Sequence, residues 1–510
     1  QPAFPDVEYI FKHALTQEVA YNSLLQERRK GLHERTAQAI GEVYRSRLED
    51  HYSDLAHHYS RSGNTQKAVE YLQLAGQQAV QRSANAEAIT HFTAALELLK
   101  TLPGTPERDR QELTLRVTLG PALMATKGWA APEIEKVYTR ARELCQHLGE
   151  TSQLFSVLFG LQAFYVHRAK LQTARELAEQ GLTLAQKVQD PALLLEAHHM
   201  LVYNLLYLGE LTLAREYAEG IALYDRPPHS PVSFLAGDDP VVCCLSHRAL
   251  ALWALGYPDQ ALKSAHDALT QAQRLSHPLS LALALIFAAV LHQFRRERQT
   301  DQEKADAVMT LSTEQGFQYW LAWGILLRGW ALTEEGQEEG IAQIRQGLAA
   351  YQATGSESWR PYHLALLAEA YGKVGKIEEG LSTLTEALAG VDKTGECLWE
   401  AELYRLKGQL TLQAKVNTSL GQVEASQNKS ENGTPESEAE EYFLKAIEIA
   451  RRQQAKSLEL RAVMSLSRLW QQQGKKDEAR RMLAEIYGWF TEGFDTVDLK
   501  EAKALLEELT

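Results

Sequence analysis

The chain has 510 residues, 45% apolar and 23% charged, the balance of a folded globular protein rather than a disordered one. Its formal net charge is −13, from 66 acidic against 53 basic residues, which disfavours a general nucleic-acid role, since that calls for a basic face. Four cysteines make no disulfide framework and suit a reducing cytoplasm, and no apolar run reaches the roughly 18 residues of a membrane helix.

Residues 1–45 differ from the rest. Asp6 to His13 alternates in polarity and reads as a short strand or extended entry, followed by helices over Thr16–Leu25 and Arg28–Tyr44. The chain begins at Gln1 inside patterned sequence and reads as the C-terminal piece of a longer polypeptide. Residues 46–150 carry the first helical hairpins. Leu55, Ala56 and Tyr59 share one helix, Gly63-Asn64 breaks it, and Ala68, Leu72 and Ala75 share the next, with Ala88, Phe92 and Ala95 following in the same pattern. Alanine where backbones approach and bulky residues where they interdigitate is what a tight hairpin needs. Pro103-Gly104-Thr105-Pro106 is a linker, and two more helices flank Lys127-Gly128-Trp129.

From residue 151 a period takes over. Small residues at Ala174, Ala214, Ala261, Gly340, Gly380, Ala439 and Ala479, with Asp301 standing in once, are followed by apolar or small residues one and two turns on. Their successive spacings are 40, 47, 40, 39, 40, 59 and 40. A fixed period held this long is the signature of stacked helical hairpins. Glycines at 209, 256, 336, 375 and 474 precede the second helix of several units, where a left-handed residue ends the first helix. The long interval reflects an insertion at 413–438, rich in Asn, Ser, Gly and Glu, which predicts a disordered loop. The organisation is thus an adaptor over 1–45, N-terminal repeats over 46–150, regular repeats over 151–412, the loop over 413–438, and C-terminal repeats with a cap over 439–510.

The pairing of a large–small–large helix with an alanine-rich one resembles tetratricopeptide repeats, in divergent copies longer than the usual 34 or so residues. The implied fold is all-α: an α-solenoid of tandem helical hairpins wound as a right-handed superhelix. Particular strings point further. Phe11-Lys12-His13-Ala14-Leu15, Glu18-Val19-Ala20-Tyr21, Trp129-Ala130-Ala131-Pro132-Glu133, Tyr319-Trp320-Leu321-Ala322-Trp323 and Tyr487-Gly488-Trp489-Phe490 are similar to a bacterial family. In that family a class III adenylate/guanylate cyclase domain and a STAND-type ATPase precede tetratricopeptide-like repeats. The resemblance places ATP or ADP in upstream modules of the same polypeptide and no cofactor in this stretch. It also offers His13, at the end of the Phe-Lys-His segment, as a contact to nucleotide phosphate in the ATPase module; otherwise it is a histidine ending a strand.

The chain's own residues offer little chemistry. No Walker A loop, HExxH or G-x-S-x-G is present. His57-His58 and His198-His199 are adjacent pairs that face apart on a helix, so no metal site is expected. Cys243 and His247 share a helix face four residues apart and read better as core than as a thiolate–imidazole pair. Trp320, Trp323 and Trp330 form a helical stripe of the kind that fills cores. Projecting the repeat onto the concave face brings His199, Tyr203, Trp253 and Arg468 towards a partner. The reading is a non-enzymatic, cytoplasmic interaction and regulatory module with a protein or peptide ligand, without nucleic-acid or membrane partners. The alternative is a passive scaffold that makes its parent a homo-oligomer.

Overall fold

A computed structural model describes residues 14–149, 151–220, 238–421 and 434–510. Among them the secondary structure is helical, and no strand is present. The predicted strand over 6–13, with His13, lies outside the described residues. By internal packing the chain forms two compact units, one of residues 1–122 with 143–150, the other of residues 123–142 with 151–510.

The first unit contains α1 (Ala14–Asn22), α2 (Gln26–Val43), a 3-10 segment (Arg45–His51), α3 (Tyr52–Ser62), α4 (Thr65–Gln81), α5 (Asn85–Leu99) and most of α6 (Pro106–Lys127). The break between α3 and α4 is built as the sequence suggests: Gly63 takes φ +89°, and the Asn64 side chain accepts a hydrogen bond from the Lys67 amide at 3.2 Å. Leu55, Ala75 and Phe92 are fully buried between these helices.

The second unit holds the end of α6, the start of α7 (Pro132–Leu148) and a two-layered array. Its inner helices are α8 (Leu154–His167), α10 (Pro191–Tyr207), α12 (Pro240–Leu255), α14 (Pro278–Phe294), α16 (Gln318–Glu334), α18 (Arg360–Lys373), α20 (Glu400–Gly421) and α22 (Lys456–Gln472). The outer partners are α9 (Leu171–Val188), α11 (Leu211–Gly220), α13 (Pro258–Leu275), α15 (Arg298–Gln315), α17 (Glu339–Ala353), α19 (Ile377–Thr394), α21 (Pro435–Arg452) and α23 (Lys476–Tyr487), and α24 (Val497–Glu508) closes the array. From α10 on, each inner helix packs on its own outer helix, on the outer helix of the preceding hairpin and on the next inner helix, whereas among the described residues no outer helix packs comparably on the next outer one. The inner row therefore lies on the short side of the curve. This explains its composition: helices such as α14 are buried almost all round, while α13 buries mainly alanines along one stripe.

All eight repeat anchors are buried small positions of outer helices, Asp301 included. At Gly340 the contact admits nothing larger, since a Cβ there would stand 2.5 Å from the Gly329 carbonyl oxygen of α16. The turn glycines 209, 256, 336, 375 and 474 all have positive φ; Ala169 and Arg296 adopt it where glycine is missing. Helices enter the predicted 413–438 loop from both sides. Helix α20 continues to Gly421 and α21 begins at Pro435, where Thr434 caps the Ser437 amide and proline occupies the first turn. Residues 422–433 lie outside the described ones.

The array turns back on itself every five hairpins. Carbonyls at the ends of α8 and α10 are left without helical donors, and the segments opening α18 and α20 supply them; the Trp253 carbonyl of α12, which already accepts from the Gly256 amide at 3.0 Å, takes a second donor from α22. Glu357 N donates to His167 O at 2.8 Å, Cys397 N to Tyr207 O at 3.0 Å, and Ser457 Oγ to Trp253 O at 2.5 Å. Arg461 of α22 likewise donates to Phe294 O at the end of α14. Further along the same seam, Thr212 Oγ1 meets Gln454 Oε1 at 2.8 Å across 242 residues, and Glu492 accepts from the Asp259 and Gln260 amides at 2.9 and 3.0 Å.

Candidate functional site

So tight a turn leaves little bore, and aromatic side chains of the inner helices fill most of it. Trp323 lies 5.1 Å, ring centre to ring centre, from Trp359, which meets Tyr207 at 5.3 Å; Trp399 stacks on Phe294 at 4.3 Å and meets Tyr362 at 5.3 Å. Trp323, Trp359, Tyr362 and Phe294 are at most 1% exposed. This plug separates two chambers of opposite character. The tryptophan stripe of α16 runs through it, from Trp320 on one chamber to Trp330 on the other.

The first chamber, about 40 Å³, is framed by α8, α10, α12, α14 and α16. His167, His199, Tyr203, Asp238, Cys243 and His247 supply its polar groups. His199 Nδ1 is 3.1 Å from Glu196 Oε2, one helical turn away. Burial would lower its pKa, but the Glu196 hydrogen bond and the nearby carboxylates raise it above the usual value. The Tyr203 hydroxyl donates to Gln162 Oε1. Asp238 directly precedes the α12 cap, where Asp239 accepts from the amides of Val241 and Val242; burial pushes the Asp238 carboxyl up to about 6. Burial also raises the Cys243 thiol well above its usual value and pushes His247 down to about 3 and His167 to about 4. The His247 Nδ1 proton goes to the Cys243 carbonyl at 2.8 Å, so this nitrogen is no base for the thiol 3.3 Å away. The Cys243–His247 pair is buried, and burial favours the protonated thiol.

The second chamber, about 240 Å³, is framed by α14 to α24 and lined by charge: Arg296, Lys373, Arg405, Arg461 and Arg468 against Glu334, Glu369, Glu402, Asp498 and Glu501. Arg405 holds Glu402 through two bonds of 2.7 and 2.6 Å. Burial alone would raise the Glu402 carboxyl, yet Arg405 and Arg461 hold it below the usual range. Arg461 Nε donates to Asp498 at 2.8 Å while its guanidinium lies 4.9 Å over the Trp253 ring. Lys373 pairs with Glu334, Arg468 with Glu501 at 3.2 Å, and Trp330 Nε1 donates to Glu369 at 3.1 Å. Burial raises the Glu369 carboxyl.

The residues projected towards a partner all lie on inner helices, but not on one open face. His199 and Tyr203 are 2% and 6% exposed at the first chamber, and Trp253, at 3%, lies under Arg461 beside the plug. The projection assumed an open groove, whereas the five-hairpin turn closes the bore over these three. Arg468 alone is exposed, on the charged chamber. Sequence reasoning missed the grouping of His199, Asp238 and Cys243. Their potential ligand atoms lie within 4.8 Å of one another, and all three residues are buried. The signal was indirect: residues 199 and 243 fall one repeat apart on neighbouring inner helices.

No protein-family model matches the chain. An uncharacterized protein of Rhizobium meliloti (strain 1021) is 27% identical over 412 residues, which are 80% of this chain and 40% of that protein. The chain thus spans less than half the length of this relative. Among solved structures, a Rap protein complexed with Competence and Sporulation Factor is similar at a TM-score of 0.50 and 11% identity, over 76% of this chain and 98% of that one. The APC/C hetero-tetramer Cut9–Hcn1 aligns more loosely, at 0.43 and 12% identity, over 98% and 99%. Fold and hairpin geometry together define a tetratricopeptide-like α-solenoid. No described helix is long and apolar enough to cross a membrane.

Proposed function

We propose that the chain is a non-catalytic interaction and regulatory module that takes a protein or peptide segment into the charged chamber of its inner helices. The observation that carries this reading is the chamber itself. Solenoids stack on apolar contacts, and buried ion pairs add little net stability because desolvation offsets their attraction. Ten ionisable groups around a cavity of about 240 Å³ lined by the inner helices are a recognition surface for charged side chains. The Rap protein of like fold is complexed with a separate factor, a precedent for such use. The strings quoted above favour a longer cytoplasmic parent with upstream STAND-type ATPase and cyclase modules, to which ATP or ADP and His13 would belong. Ligand binding biases that parent only insofar as its two states differ in affinity.

The test is comparative capture. The chain and an Arg468→Glu variant are used as bait in a bacterial lysate, and the size of each bait alone is measured by light scattering. Arg468 is exposed, so the reversal should cost little stability beyond its surface pair with Glu501, which circular dichroism and a thermal melt of the variant check. A partner retained by the native chain and lost by the variant is the expected result. Equal capture by both, or a stable homo-oligomer with no partner, contradicts the reading, and the second outcome favours the scaffold.

A further inference from the structure

From the first chamber we propose a site for a zinc-class divalent ion held by His199, Asp238 and Cys243. The three residues come from α10, from the residue before the α12 cap and from the first turn of α12. Imidazole, carboxylate and thiolate within 4.8 Å of one another are a borderline-soft donor set, which selects zinc over calcium or magnesium. All three residues are buried, which separates this cluster from the exposed acidic groups that gather on any acidic surface.

Two further observations point to a ligand. Glu196 engages Nδ1 of His199 at 3.1 Å, the carboxylate–histidine arrangement that fixes a ligating ring and leaves Nε2 for the metal. His247, 3% exposed and lining the same chamber, has an Nε2 with no hydrogen-bond partner among the described residues. The size agrees as well. About 40 Å³ accommodates an ion with a water or two and excludes an organic cofactor. One thiolate and one carboxylate neutralise a divalent charge, and binding releases the Cys243 thiol proton to solvent. The ion would tie the start of α12 to α10, with its fourth position facing His247 and Tyr203. This site is independent of the charged chamber and of what that chamber binds.

The experiment uses the whole chain, stripped with chelator and reloaded with zinc or cobalt. After gel filtration, metal analysis is expected to find about one ion per chain. The cobalt form is expected to show tetrahedral d–d bands and a thiolate-to-metal charge-transfer band, and chelator is expected to lower the melting temperature. Cys243→Ala, a small apolar exchange at a buried cysteine, should keep the helical circular dichroism, abolish the charge-transfer band and lose the chelator effect. The isosteric Asp238→Asn should weaken retention at least tenfold. A substoichiometric metal content after reloading overturns the proposal. So does an ion that both variants retain unchanged, which would mark surface binding elsewhere.

Discussion

The two chambers sit on one framework of inner helices, and they differ in how their polar groups are held. In the charged chamber every acid faces a base. Glu402, Arg405, Arg461 and Asp498 form a connected network, and the attraction of Arg405 and Arg461 keeps Glu402 ionised despite burial. In the smaller chamber burial wins except at His199, which Glu196 and the nearby carboxylates raise. His167 and His247 are held neutral, the Cys243 thiol stays protonated, and the Asp238 carboxyl rises to about 6. The contrast shows that a repeat scaffold dictates where side chains converge but not what they do there. Ion pairing sets the charge state of one convergence point, and burial sets that of most groups at the other.

The plug between the chambers gives the largest expected effect. Trp359 is 1% exposed, and its amide donates to both Glu396 oxygens at 2.8 and 3.0 Å. Trp359→Ala should destabilise the array by about 3–5 kcal/mol in urea unfolding. A loss below about 1 kcal/mol would mean the bore is not filled as described. Within the charged chamber, Glu402→Ala leaves the Arg405 and Arg461 guanidinium groups short of a counter-charge and should cost about 3 kcal/mol. If Glu402→Gln costs as much as the alanine variant, the charge itself is what matters there.

A third change sharpens the contrast from outside both chambers. Asp301 occupies the alanine position of α15, fully buried, with neither carboxylate oxygen hydrogen-bonded, and burial raises its pKa well above the usual value. Asp301→Ala should stabilise the chain by about 1–2 kcal/mol at neutral pH. The sign of the pH effect follows from the raised pKa. The folded state keeps the proton above the unfolded value of about 3.9, so stability from this group is lost as pH rises through that range. The gain from alanine should therefore shrink towards pH 4, as thermal melts would show.

The smallest effect concerns the histidine chamber. His247 is pushed down to about 3 in the fold against about 6.5 unfolded. The unfolded chain thus binds the extra proton, and stability is lost as pH falls below about 6.5. Asp238, raised to about 6, works in the opposite sense over the lower part of that range. Measured in chelator, the cost of His247→Leu relative to the native chain should fall between pH 7 and pH 5. Glu402→Gln should show no such change in that window, because the Glu402 carboxyl lies below the usual range.

Much of this architecture was legible in the sequence. The small-residue anchors and turn glycines are local requirements, set by backbone approach at Gly340 and by positive φ at Gly209 or Gly256, and local requirements leave a period in the chain. The five-hairpin closure leaves none. It depends on the small rotation between successive hairpins, and its contacts, such as Thr212 with Gln454, join residues that nothing in a window of sequence relates. For the same reason projection found inner-row residues such as His199 and Tyr203 but not their burial. It likewise missed Asp238, which stands before the α12 cap rather than on a helix face.

Closure of the array upon itself is the central claim, and a double-cysteine cross-link tests it directly. Thr212 and Gln454 are surface residues whose side chains meet at 2.8 Å across 242 positions, and neither holds the core together. The Thr212→Cys/Gln454→Cys chain should cross-link intramolecularly and nearly completely with a short bifunctional maleimide, giving a shifted band in denaturing gels that neither single variant shows. A double variant that stays uncross-linked while remaining helical and folded would mean an open superhelix, and with it neither the aromatic plug nor the two chambers would stand.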